Sequence, residues 1–308
     1  MKEITDYGKV FETLVTKTAD YLVNNNIKAQ ILGISGGIDS TVCAAICHEV
    51  AKRTRIPLIG RSLPTKYNKV GETTTADLVG KAFCDDYKEV NIERLCVFNK
   101  NYIEGNEDCI MSKLDYGNIQ ARTRMIYLFN LANKYNGLLM DTDNLTECNL
   151  GFFTIFGDQG LFNPIGGLWK TEVFKLAEWL SKKYRKTPEN LEEFEPSYNK
   201  QKAILSSTYL KPTAGLGITD SDLDEIGAES YEQVDSILRE ILAWKWLSLE
   251  KRGDTYDSVW DMRNAFLDEQ QMLDTPIEVI IAVTDRHFKS EFKRKQLPIK
   301  ISRNDIRI

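Results

Sequence analysis

Histidine is nearly missing from this 308-residue chain: His48 and His287 are the only two. A metal centre built on several imidazoles is therefore excluded. The six cysteines, at 43, 47, 84, 96, 109 and 148, form no C-x-x-C pair. A chain of this length can bury a sizeable core without disulfide staples, so reduced and mostly buried thiols are expected. No apolar run approaches the ~20 residues that cross a membrane. The opening MKEITDYGKVFETLV lacks the apolar centre of a secretion signal. Excess positive charge is also absent, the formal net charge being -5, which argues against a broad nucleic-acid-binding face. Neither a repeat nor a low-complexity linker interrupts the chain. With 42% hydrophobic and 28% charged residues, it reads as a globular cytoplasmic protein with no nucleic-acid or membrane partner.

What is present is an alternation of short apolar runs with helical patterns. Residues 7–24 place apolar side chains at helical spacing. Residues 29–34 read as a buried strand, 41–51 as a helix, 56–63 as a second strand and 70–83 as a second helix. Residues 87–92 suggest a third strand, 119–135 a strong helix, 137–141 another buried strand and 169–183 a further helix. Such alternation implies an α/β fold, a parallel sheet flanked by helices, with ligands beyond the carboxyl ends of the strands. Residues 184–230 are polar and read as a long connection or lid. The part from about 231 to 308 reads as mostly helical.

The first strand runs into Gly33-Ile34-Ser35-Gly36-Gly37-Ile38-Asp39-Ser40. Small residues let the backbone approach an anion, and the N–H groups at the following helix start attract phosphate. Ser35 and Ser40 add hydroxyls. Asp39 would repel a phosphate unless a cation lay between them, which points to Mg²⁺. The turn is not a Walker loop, whose lysine and spacing it lacks. It does fit the G-x-S-x-G nucleophile elbow with Ser35 as nucleophile, and His287 would then be the base. A tight turn with Ser40 or Asp39 as helix cap is the purely structural reading.

This turn resembles the SGGxDS loop of the PP-loop ATP pyrophosphatases, which split ATP into AMP and pyrophosphate. Further segments resemble the NAD synthetases within that superfamily. They are GNIQARTRM (117–125), TDNLTE (142–147), GFFTIFGD (151–158), PIGGLWK (164–170) and KPTAGL (211–216). The resemblance implies a doubly wound α/β subunit, usually a homodimer, with a helical C-terminal extension. It implies one synthetase domain over 1–308, with a core of about 25–230. Only 34 residues precede Ser35, so no amidase domain is expected and ammonia is the implied nitrogen source.

The resemblance further implies that ATP is bound by residues 33–40 with Arg61, Thr142, Lys170 and Thr213. It makes Asp39 and Glu147 the Mg²⁺ ligands, and Asp39, Glu147 and Lys170 the catalytic set. Arg124, Asp158, Phe292 and Lys293 would meet deamido-NAD. Read without it, Glu147, Lys170, Arg122 and Arg124 are exposed helix charges, Asp158 caps a turn, and the run around Lys293 is a solvated basic face. Three positions depart from the family pattern. Ile155 stands where relatives carry a lysine, Asn144 replaces a common histidine, and Phe292 takes another histidine position. The ATP side is kept while the dinucleotide side is altered. Residues 240–285 match nothing in the pattern.

Overall fold

Four short strands, β1 (Ala29–Gly33), β2 (Leu58–Ser62), β3 (Asp86–Glu89) and β4 (Gly137–Leu139), form a parallel sheet of order β3-β2-β1-β4. The computed structural model describes residues 3–185, 191–211, 221–272, 274–294 and 299–300. β1 is flanked on both sides, with Ile31 opposite Ile59 of β2 and Leu139 of β4. The chain builds the sheet outward from β1 to β3, then returns to the other side of β1 for β4. This reversal leaves a crevice beyond the carboxyl ends of β1 and β4, where α/β sheets bind ligands. A bridge from Met140 to Phe162 joins a short β5 (Phe162–Asn163), itself parallel to β6 (Ile299–Lys300).

Alternate residues of the central strands face opposite layers, as the two-residue period of a strand requires. Leu32 and Leu58 point into a core with α1 (Tyr7–Asn24), α2 (Ile38–Thr54), α3 (Val70–Phe83), α7 (Lys170–Arg185) and α8 (Leu191–Thr208). Ala29, Ile31 and Ile59 point into a second core with α4 (Glu93–Glu107) and α5 (Lys113–Lys134). The sheet is thus doubly wound. A third core joins α6 (Leu145–Leu150) to α9 (Asp222–Ile226), α10 (Tyr231–Lys245), α11 (Val259–Glu269) and α12 (Ile277–Lys289). A π-helical segment, Trp246–Arg252, continues α10, and α13 (Glu291–Arg294) follows α12. The helical C-terminal part packs around Val234, Leu238, Phe266, Val283 and Phe288, all fully or almost fully buried.

The structure departs from the sequence expectation in two places. The segment 184–230, expected as a long connection, carries the 18-residue helix α8, which packs on α7, α3 and α2. Its described inward side is narrow, formed by Ala203, Ile204 and Ser207, and its polar remainder hid it. Helix α4 was not foreseen either, because Cys96 is its one fully buried residue. None of the six cysteines is in a disulfide, and Cys43, Cys47, Cys96 and Cys148 are buried. No described helix is long and apolar enough to cross a membrane.

Candidate active site

The glycine-rich turn occupies the end of β1. Ile34 N still donates to Arg61 O at 2.9 Å, and the chain then leaves the sheet. Gly36 has φ +86°, and a Cβ there would sit 2.4 Å from Glu72 O of α3. Both the left-handed backbone and the close approach require glycine. Gly37 caps α2 with no side-chain bond to its first turn. The N-terminal N–H groups of a helix have no intrahelical partners and carry the positive end of its dipole. Ser35 Oγ lies 3.0 Å from Ser40 Oγ and accepts from Gly37 N at 3.2 Å. No histidine is among those partners. His287 lies in the C-terminal core, edge-on to Phe288, and burial holds it well below the usual histidine range. A Ser–His hydrolase arrangement is therefore not formed.

Asp39, in the first turn of α2, meets two residues from other elements. Lys170 Nζ donates to Asp39 Oδ2 at 2.5 Å and to Glu147 Oε1 at 2.8 Å. Asn144 Nδ2 donates to Asp39 Oδ1 at 2.8 Å. Asn144 is also the N-cap of α6, and its Oδ1 accepts from Glu147 N at 3.0 Å. Glu147 Oε2 in turn accepts from Asn144 N at 3.2 Å, closing a reciprocal capping box. The box is local to an N-x-x-E spacing, whereas Asn144 reaches Asp39 across 105 residues.

Lys170 is 1% exposed. Burial alone would favour its neutral form, but Asp39 and Glu147 outweigh that and hold its pKa well above the usual lysine value. The Tyr231 ring lies 5.6 Å from the ammonium. Burial and the neighbouring Asp39 push Glu147 up to about 7, against the pull of Lys170. The three groups thus hold one cation between two carboxylates, one of which gives up its charge readily.

This donor set also fits a divalent cation. Two carboxylate oxygens already grip a positive group, and oxygen donors suit Mg²⁺ rather than zinc. Among the described residues no group of three or more His, Cys, Asp or Glu side chains forms a closed metal cage. Phosphate and water oxygens would have to complete the shell, as is usual for Mg²⁺.

Beyond β4, Asp141 staples the adjoining loop. Its Oδ1 accepts from Asp143 N at 2.7 Å and Asn163 Nδ2 at 3.0 Å, and its Oδ2 accepts from Gly160 N at 2.9 Å. Asn163 Nδ2 also donates to Asp143 O at 2.7 Å. Burial, then Asp141 and Glu147, raise the Asp143 carboxyl well above the usual range. Thr142 lies half-buried between these aspartates.

The 151–158 loop is held from two sides, by Arg122 of α5 and by Lys293. Arg124 on α5 donates through Nε to Leu63 O at 3.1 Å and through Nη2 to Asn68 Oδ1 at 3.4 Å. Asp158 Oδ2 accepts from Thr154 N at 2.7 Å; burial raises its pKa, while that bond and Arg124 lower it. Lys293 Nζ donates to Gly151 O at 2.9 Å and Phe153 O at 2.8 Å. Phe292 beside it is exposed. Arg122 Nε donates to Ile155 O at 3.3 Å. Phe156 is 73% exposed at φ +59°, a backbone region in which a bulky side chain is strained.

Arg61, expected at the nucleotide, is 3% exposed and committed elsewhere. Its guanidinium forks onto Asp86 at 2.8 and 3.3 Å and bonds Gly60 O and Asp86 O. Thr213 lies outside the described residues. Sequence reasoning missed Asn144 as a bridge, Asp141 as a staple, and the buried Asp235 and Tyr231 of α10. The long-range partners of these residues leave no local signal.

A doubly wound sheet with a glycine-rich, Walker-less turn at β1, opposed by a carboxylate and a lysine across the switch point, defines a nucleotide-binding α/β protein. The family model described as NAD synthase matches residues 10–297. The chain belongs to the NAD synthase family. It is 30% identical over 295 residues to the NH(3)-dependent NAD(+) synthetase of Thermococcus sibiricus, covering 96% of this chain and 97% of that one. It is 29% identical over 297 residues to the protein of the same name from Methanosarcina acetivorans, covering 94% and 98%. Two solved structures share the fold. The NMN synthetase from Francisella tularensis superposes with a TM-score of 0.68 at 23% identity, over 94% of this chain and 97% of that one. The NH3-dependent NAD synthetase from Campylobacter jejuni gives 0.64 at 22%, over 97% and 100%.

Proposed function

We propose that the chain is an ammonia-dependent NAD synthetase, consuming ATP, deamido-NAD and ammonia and releasing NAD, AMP and pyrophosphate. The observation that carries this reading is the Lys170 ammonium held between Asp39 at the phosphate-type turn and Glu147 across the switch point. Family membership and near full-length relatives of that name support it.

A carboxylate is a poor acyl donor and must be activated. The nicotinate carboxylate of deamido-NAD attacks the α-phosphorus of ATP, pyrophosphate leaves, and ammonia displaces AMP from the acyl-adenylate. Such chemistry needs alignment of two anions and neutralisation of growing phosphate charge. The turn at 35–40 and the open start of α2 receive the phosphates. Asp39 and Glu147 would hold Mg²⁺, which supplies positive charge to the phosphate oxygens. Lys170 then exchanges its carboxylate partners for phosphate oxygens, carrying its charge onto the leaving pyrophosphate. Asn144 keeps Asp39 and the first turn of α6 in register during that exchange. Arg124, Asp158, Phe292 and Lys293, grouped about the 151–158 loop, receive deamido-NAD.

A homodimer fits the surface. Leu95, Phe98 and Tyr102 of α4 and Leu114 and Ile126 of α5 are exposed apolar side chains. Arg122 ties α5 to the loop at Ile155, so a second copy packed on this face would border the deamido-NAD region. A cytoplasmic location suits cysteines that form no disulfide.

The test is turnover with ATP, ammonium and either deamido-NAD or nicotinate mononucleotide, with AMP, pyrophosphate and amide product measured together. Equal yields of all three from deamido-NAD are expected. ADP and phosphate would refute the reading, and a preference for the mononucleotide would reassign the substrate.

A further inference from the structure

The position of Lys170 is set from outside the sheet. Asp235 of α10 is 2% exposed, yet neither of its oxygens contacts the ammonium. Its Oδ1 accepts from Thr146 Oγ1 at 2.5 Å, and its Oδ2 accepts from Thr171 N at 3.0 Å and Thr171 Oγ1 at 2.7 Å. Thr146 Oγ1 accepts from Lys170 N at 2.8 Å. The first two N–H groups of α7 are therefore capped in trans, one by Asp235 and one by the hydroxyl that Asp235 fixes. Thr146 immediately precedes Glu147, so the same carboxylate ties the two backbones that carry Glu147 and Lys170.

One turn further along α10, Arg239 Nη2 donates to Glu172 Oε1 at 3.2 Å, and its guanidinium lies 5.0 Å from the Trp169 ring centroid. Val234, Ile237, Leu238 and Ile241 are fully buried and anchor the helix in the C-terminal core. α10 thus offers a rigid support to the start of α7. Lys170 is itself buried and must reach Asp39 across the crevice, so its ammonium goes where its backbone goes.

From this geometry we infer that Asp235 is a positioning residue for adenylation, acting through Thr146 and Thr171 to place Lys170 relative to Asp39 and Glu147. The inference rests on the synthetase reading and deepens it. It gives the C-terminal helical part a role in the chemistry of the nucleotide end. A misplacement of about 1 Å in a reacting constellation can cost about a hundredfold in rate.

The experiment compares Asp235→Ala, Asp235→Asn, Thr146→Val and Ile241→Ala in the full chain, well below each variant's melting temperature. Single-turnover AMP formation and the KM for deamido-NAD and ammonium are measured. Asp235→Ala is expected to slow AMP formation by roughly 10- to 100-fold with both KM values within about threefold. Asp235→Asn keeps an acceptor for Thr171 N but loses the one for Thr146 Oγ1, and should recover only part of that loss. Ile241→Ala, a cavity in the same core, should melt earlier with a rate within about twofold of the parent. Asp235→Asn with Thr146→Val should be no slower than the slower single variant, since both break one chain of bonds. If Asp235→Ala does not fold, the last comparison decides. An unchanged rate in the Asp235 variants, an equal rate loss in Ile241→Ala, a loss confined to KM, or independent multiplication in the double variant would each overturn the inference. A parent protein that never amidates deamido-NAD would refute the function instead, so the two failures are distinguishable.

Discussion

Replacing Lys170 by methionine keeps the length of the side chain and removes the cation between two carboxylates. Both contacts are short, at 2.5 and 2.8 Å, and Lys170 is 1% exposed. Removing one partner of a buried ionic cluster costs about 3–5 kcal/mol, because the remaining charges stay desolvated. Protonation can relieve that cost here. Glu147 already titrates near 7 with the ammonium in place, and it rises further without it. Below the new pKa Glu147 is neutral, Asp39 keeps its bond from Asn144, and the loss shrinks. The expected loss is therefore about 3 kcal/mol or more at pH 8.5 and clearly smaller at pH 6. For a chain of this size 3 kcal/mol is roughly 5 °C in melting temperature. Lys170 itself adds no slope in this window, since its raised pKa keeps it charged throughout. Thermal melts of parent and Lys170→Met between pH 6 and 8.5 measure the effect. A loss below about 1 kcal/mol at pH 8.5, or one that does not vary with pH, would refute the argument.

The parent protein should itself lose stability as pH rises from about 4.5 to 7. Folded Glu147 keeps a proton that the unfolded chain has released, on the order of 3 kcal/mol at most, and Glu147→Gln should flatten the urea-unfolding profile there. Asp39→Asn and Glu147→Gln should each slow AMP formation by roughly two or more decades while remaining folded, and near-normal rates at modest Mg²⁺ would remove that residue from the metal site. Phe98→Glu on the exposed face of α4 should yield a monomer by light scattering, and a monomeric but fully active parent would refute the dimer. Ile155→Lys should lower the KM for deamido-NAD by about tenfold and leave that for ATP unchanged, since a charge-assisted contact contributes about 1.5–3 kcal/mol. Weaker use of deamido-NAD by that variant would mean the pocket is built around an apolar group.

The parts of the fold legible in the sequence were those whose burial is written locally. β1, β2 and β4 are short apolar runs, and α3 spans the expected residues 70–83. β3 was legible less well, because it is a half-exposed edge strand that runs over 86–89 where 87–92 was expected. α4 and α8 escaped because few of their described side chains are buried. At the site, Asp39, Glu147 and Lys170 were readable as a set only through the family resemblance, and the structure brings their side chains together. The partners that fix them were not readable. Asp235 reaches Thr146 from 89 residues away, and Asn144 reaches Asp39 from 105. Arg61 looked available beside a strand end, but its bonds to Asp86 depend on the register between β2 and β3.

The central claim is that the nicotinate carboxylate attacks the α-phosphorus of ATP. Deamido-NAD labelled with ¹⁸O in that carboxylate tests it directly. After one turnover with ATP and ammonium, mass spectrometry should find one carboxylate-derived ¹⁸O in AMP and none in pyrophosphate. Label in pyrophosphate, or AMP formed without label, would contradict the account.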